Sequence, residues 1–152
     1  MKFSKRTLDN GLRILVAPME STETVTLLVF VGTGANYETK ANNGISHFLE
    51  HMFFKGTKNF PKVGELDRML DAVGAEHNAF TSRERTGYWI KVDASHFPLA
   101  VTFVSEILQN ALLKEVEIDK ERGVILEEMS MYRDNPQDQV WEVFYSALYG
   151  DH

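Results

Sequence analysis

The chain has 152 residues, 43% hydrophobic, 25% charged and 11% aromatic, a balance that excludes a disordered segment and describes one globular domain or part of a larger protein. Sixteen Lys and Arg against 22 Asp and Glu leave a net charge of −6; no basic run offers a nucleic-acid face, and no apolar stretch is long enough for a membrane span. Cysteine is absent, so any metal must be held by His, Asp or Glu. Met1 to Arg6 is basic, but no apolar segment follows it, so no secretory signal is expected and a cytoplasmic location is the default.

Lys2 to Thr7 and Arg13 to Ala17 flank Asp9-Asn10-Gly11, a turn signal that predicts an opening β-hairpin ended by Pro18. Val25 to Val31 is β-branched and aliphatic throughout and reads as a central strand buried on both faces. A polar loop, Asn36 to Asn43, leads into a helix from Ile45 to Phe54, and a second helix runs from about Lys62 to Val73 and stops at Gly74. Ala75 to Ser82 and Thr86 to Asp93 alternate like a strand pair. Ser95 and Pro98 start a third helix expected to reach Leu113, Glu117 to Arg133 is a fourth, and Asn135-Pro136 separates it from an amphipathic stretch, Gln137 to Tyr149. The expected class is α+β, a mainly antiparallel sheet backed by helices.

The chemistry concentrates in His47-Phe48-Leu49-Glu50-His51. At about 100° per residue the two histidines lie roughly 40° apart on one helix face, so both imidazoles can reach one ion. Glu50 lies about 60° to the other side of His47, placed to take a proton from a metal-activated water instead of ligating. Ile45, Phe48, Leu49, Met52 and Phe53 fill the remaining circumference, giving a buried helix with one narrow polar stripe. Desolvated histidines and a carboxylate are costly unless they pair or meet a cation.

A catalytic zinc takes three protein ligands and keeps a position for water, and the fourth helix supplies candidates for the third. On a helical wheel Glu121 and Glu128 fall on the same side as Ile118, Ile125, Met129 and Tyr132, so two carboxylates share the core side. Glu127 falls opposite Ile118, beside Lys120, and should face solvent. The wheel leaves Glu121 and Glu128 open: either could ligate while the other orients a histidine. A His pair at i,i+4 is common on helices that bind nothing. The intervening Glu and the facing carboxylates favour metal, because the bland reading needs several unpaired buried polar groups. His77, His96 and His152 have no such company and read as structural or solvated. Phe48, Phe53, Phe54 and Phe60 read as core, with Phe54, on the metal-facing stripe, the one aromatic that could line a site.

His47 to His51 is the inverted zincin pattern His-x-x-Glu-His. With Gly44 to Thr57 around it, Gly74-Ala75-Glu76-His77-Asn78-Ala79-Phe80-Thr81 and Glu121 to Glu128, the chain resembles the pitrilysin-type inverzincin peptidases, the group of insulin-degrading enzyme and the mitochondrial processing peptidase. The resemblance spans essentially the whole chain. It implies Zn2+ as cofactor and a third ligand 77 positions after His51, at Glu128, with Glu121 behind it. It implies Glu50 as general base and a peptide substrate added as a strand along Asn78, Ala79, Phe80 and Thr81. Family members pair two related α/β halves around a chamber, so residues 1–152 are expected to be the N-terminal catalytic part, completed by a C-terminal half or a partner subunit in a homo- or heterodimer, with little activity alone. Two other classes compete. A non-catalytic relative serving as an assembly or processing-complex subunit would often lose motif residues, and all are present here; a metal-binding module without hydrolysis would not need Glu50.

Overall fold

A computed structural model describes residues 2–150 and shows an α+β fold. His152 lies outside the described residues. Strands β1 (Ser4–Thr7) and β2 (Arg13–Val16) form the expected hairpin as a two-stranded sheet, paired Ser4 to Val16 and Thr7 to Arg13. Its turn uses Gly11 at φ +86°, a left-handed conformation that glycine adopts without a Cβ penalty, and Asn10 Oδ1 accepts the Leu12 N–H at 3.1 Å.

The second sheet is antiparallel, with β3 (Thr24–Val31), β5 (Thr86–Asp93) and β4 (Glu76–Thr81) in that spatial order. The central strand is β5, which corrects the expectation for Val25 to Val31. In β3 only Val25, Leu27 and Val29 turn to the core, while Leu28 is 41% and Phe30 57% exposed. The apolar run misleads because helices cover one face of this sheet, so β3 is an edge strand with two unlike faces. In β5 the alternation is sharp: Tyr88, Ile90 and Val92 are buried, Lys91 and Asp93 exposed.

The helices are α1 (Ile45–Met52), α2 (Glu65–Asp71), α3 (Phe97–Gln109), α4 (Glu115–Asp134) and α5 (Pro136–Tyr149). On α3, Ala100, Phe103, Val104 and Ile107 recur at i, i+3, i+4, i+7 and pack on β5 together with Leu66 and Leu70 of α2. Burying a side chain such as Ile90 or Phe103 completely contributes about 1.5–3 kcal/mol. The third helix stops short of the expected Leu113 because the chain after it pairs elsewhere: Asn110 O accepts from Lys58 N at 2.9 Å, and Leu112 N donates to Gly56 O at 3.1 Å. No helix among the described residues is long and apolar enough to cross a membrane.

The core thus lies between β5 and α3. Helix α1 packs beside β4, α4 against α1, and α5 against α4. This order brings the His47–His51 helix, the middle turns of α4 and the β4 edge to one place.

Candidate metal centre

Helix α1 begins at Gly44, which is left-handed at φ +88° and offers no side chain to cap the first turn. Glu38 does so from the preceding loop, its Oε2 accepting from Gly44 N at 2.6 Å and its Oε1 from Ser46 N at 2.8 Å. Burial works to raise this carboxyl, but the two backbone donors outweigh it, with the Ser46 hydroxyl and His47 adding, and hold it below its ordinary value. The anion also sits at the positive end of the helix dipole. Glu38 leaves no capping signal in the sequence, since it lies six residues before the N-cap instead of at it.

Contrary to the expectation of a buried helix, only Ser46 and Met52 of α1 are fully buried, and Ile45 is 42% exposed. His47, Glu50 and His51 on its polar stripe are half-buried. There His47 Nε2 and His51 Nε2 lie 3.1 Å apart, and Glu128 Oε2 is 3.7 Å from the first and 3.5 Å from the second. His51 Nδ1 donates to Glu121 Oε1 at 2.8 Å, since a carboxylate can only accept, and this leaves Nε2 as the ring atom that faces the cluster and could ligate. Three atoms able to ligate a metal thus converge, with the two histidine nitrogens at hydrogen-bond distance from each other. A four-coordinate zinc with ligands at about 2.1 Å separates them by about 3.4 Å, and the three observed edges bracket that value. His47, His51 and Glu128 can therefore hold one such ion after small adjustments.

Glu121 is the one fully buried residue of α4. Burial pushes its carboxyl up, but the hydrogen bonds and charges of Lys55, whose Nζ is 2.6 Å from Oε2, and of His51 bring it below its ordinary value. Glu127 is exposed, as the wheel requires, whereas Met129 at 44% and Tyr132 at 55% exposure are not core residues. The wheel overreaches there because α4 touches α1 along one narrow seam.

Glu50 stands outside the three-donor cluster. Its Oε2 accepts the Thr81 hydroxyl proton at 2.5 Å, which couples α1 to the last residue of β4. Burial and then the Glu50 charge push the nearby Tyr88 phenol above its usual value, so it stays protonated. Along β4, Asn78 and Phe80 face outward while Ala79 and Thr81 face the α1 side. Among the described residues the other edge of β4 is unpaired. Phe80 lies across Gly87, where an added Cβ would come within 2.4 Å of its ring, and meets Phe30 edge-on at 6.1 Å. Phe54 turns away from the cluster into the core, 6.2 Å from both Phe103 and His77. His77 is structural, bonded to Asp67 at 3.1 Å and packed on Phe103. Further along, Arg83 stacks on Tyr145 at 3.9 Å and ties the β4–β5 hairpin to α5.

Lys55 and the Thr81 hydroxyl are the two members that sequence reasoning missed as partners. Lys55 carried a signal, since it is four residues past His51, one turn along the same side. The Thr81 contact depends on tertiary placement alone.

Comparison with known proteins identifies the family. Residues 13–152 match the family model described as Insulinase (Peptidase family M16). The chain is 40% identical over 150 residues to the uncharacterized zinc protease YmxG of Bacillus subtilis, covering 99% of this chain and 36% of that one. It is 41% identical over 142 residues to the mitochondrial-processing peptidase subunit beta of Rattus norvegicus, covering 93% of this chain and 29% of that protein. A crystal structure of a protease from Helicobacter pylori superimposes with a TM-score of 0.90 at 33% identity, over 95% of this chain and 35% of that one. The chain therefore spans about a third of the length of these relatives.

Proposed function

The chain belongs to the insulinase family, peptidase family M16, and from that premise we propose that it forms the metal-binding part of a zinc-dependent endopeptidase. The observation that carries the reading is the convergence of His47 Nε2, His51 Nε2 and Glu128 Oε2 within 3.7 Å of one another, with Glu50 beside them and not among them. His47, His51 and Glu128 would be the ligands and Glu121 the carboxylate that orients His51. When bound, zinc supplies Lewis acidity that polarises the scissile carbonyl and makes water acidic enough to react near neutral pH.

The protein's own groups account for the remaining chemistry. Glu50 takes a proton from the attacking water and returns it to the leaving amine, so the carboxylate ends the cycle as it began. The Thr81 hydroxyl occupies Oε2 and leaves Oε1 to meet the water. The substrate is a peptide or unfolded segment laid along Asn78, Ala79, Phe80 and Thr81, where backbone pairing gives affinity with loose sequence preference. One wall of a cleft is present. The opposite wall would come from the rest of a longer chain or from a partner subunit, as the name of the mitochondrial relative suggests.

Replacing Glu50 by Gln in the full-length protein tests this. Zinc content should stay within error of wild type while peptide hydrolysis falls by several orders of magnitude, because the amide keeps the shape but cannot accept the proton. Loss of zinc with the same substitution would make Glu50 a ligand and remove the base from the mechanism.

A further inference from the structure

Lys55 follows the C-terminal turn of α1, and its ammonium reaches inward to a buried carboxylate instead of out to solvent. Glu121 uses one oxygen for each neighbour: Oε1 takes the His51 Nδ1 proton at 2.8 Å and Oε2 meets Lys55 Nζ at 2.6 Å. A carboxylate held at one oxygen can turn about its terminal torsion, which has no sharp minimum. Held at both, its plane is fixed, and the imidazole that donates to it is fixed with it.

On the zinc-peptidase reading, we infer that Lys55 is a positioning residue of the metal centre: by clamping the second oxygen of Glu121 it sets the ring orientation and tautomer of His51. The backbone on either side of Lys55 is built for this. Lys55 N donates to Met52 O at 3.1 Å, and the chain then turns at Gly56, where φ is +99° and a Cβ would come within 2.9 Å of Pro61 O. Thr57, fully buried, donates to Glu106 on α3 at 2.6 Å, and Leu112 N holds Gly56 O. The lysine stem therefore leaves from a segment anchored to the core.

A purely structural role would not need this pair. A buried ion pair is seldom better for stability than apolar side chains of the same size, whereas a group that orients a ligand requires a donor at a defined point. The sequence context agrees, because His51 and Lys55 at i,i+4 face the same side of α4 and share one partner there.

The test uses the full-length protein and zinc alone, with zinc affinity read by competition against a chromophoric chelator and the His51 ring nitrogens read by NMR in the metal-free form. Lys55→Met should weaken zinc binding about tenfold or more, and the His51 spectrum should move from a single Nδ1–H tautomer to a mixture. Lys55→Arg should recover most of the affinity. In a Glu121→Met background, Lys55→Met should add nothing further, because the lysine acts only through that carboxylate. An equal loss in the Glu121→Met background would overturn the inference, as would a fall in thermal stability alone with affinity and spectrum unchanged. Wild-type protein that binds no zinc would instead overturn the peptidase reading; wild-type binding with an unaltered Lys55→Met variant overturns only the role of Lys55.

Discussion

Thr81 donates its hydroxyl proton to Glu50 Oε2 at 2.5 Å, joining the end of the β4 edge to the helix that carries His47 and His51. Hydrogen bonds to charged groups contribute about 1.5–3 kcal/mol, and here that energy ties the proposed base to the strand that would receive the substrate. Thr81→Val keeps the volume and β-branching and removes the donor. It should lower kcat about 10- to 100-fold with zinc stoichiometry unchanged, and Thr81→Ser should restore most of the loss. Steady-state kinetics paired with metal analysis of each variant checks this.

Glu106 gives a stability prediction with a pH sign. It is 6% exposed and accepts from Thr57 Oγ1 at 2.6 Å, Asn59 Nδ2 at 2.7 Å and Asn110 Nδ2 at 2.8 Å. The Thr57 bond is the chief cause of a carboxyl below its ordinary value; burial opposes it, and the two asparagines add to it. A group lowered in the folded state stabilises above its unfolded value of about 4.5, and that stability is lost as pH falls through the folded value. Glu106→Gln should cost about 1–3 kcal/mol at pH 7 and flatten the decline of Tm below pH 4.5, as followed by thermal melts from pH 7 to 3.

How far the site was legible in the sequence depends on how local each relationship is. His47, Glu50 and His51 share one helical face by spacing alone, and the wheel for α4 separates Glu127 from Glu121 and Glu128 because a helix has a fixed period. The wheel could not rank the two inward carboxylates, since the choice rests on which turn of α4 lies opposite His47. Resemblance named Glu128, and the distances bring Glu128 to the histidine Nε2 atoms and Glu121 to Nδ1. The Glu38 cap and the Thr81 contact close loops of 6 to 31 residues and leave no periodic trace. Val25 to Val31 misled for a related reason: Leu28 and Phe30 look like core in a one-dimensional pattern, and only the sheet shows that no helix among the described residues covers their face.

On the proposed reading, residues 1–152 alone should bind zinc but hydrolyse a flexible peptide at least a hundredfold more slowly than when a complementary half or partner subunit is supplied. A strand on the β4 edge is held from one side, and orientation can supply on the order of 7–11 kcal/mol of a barrier in the best cases. Val140, Val143 and Phe144 of α5 are 60%, 66% and 50% exposed, so the short chain should also self-associate. Turnover assays alone and with the remaining part added in trans, with light scattering, check both; full turnover by the short chain would show that the site is self-sufficient.

Every role proposed above depends on the ligand set, and a crystal structure of the zinc-loaded protein with anomalous scattering at the zinc edge decides it. One ion is expected about 2.0–2.2 Å from His47 Nε2, His51 Nε2 and a Glu128 oxygen, with Glu121 still on His51 Nδ1 and Glu50 near the open position. An ion held by Glu121 or Glu127 in place of Glu128, or with Glu50 among its ligands, would contradict that assignment.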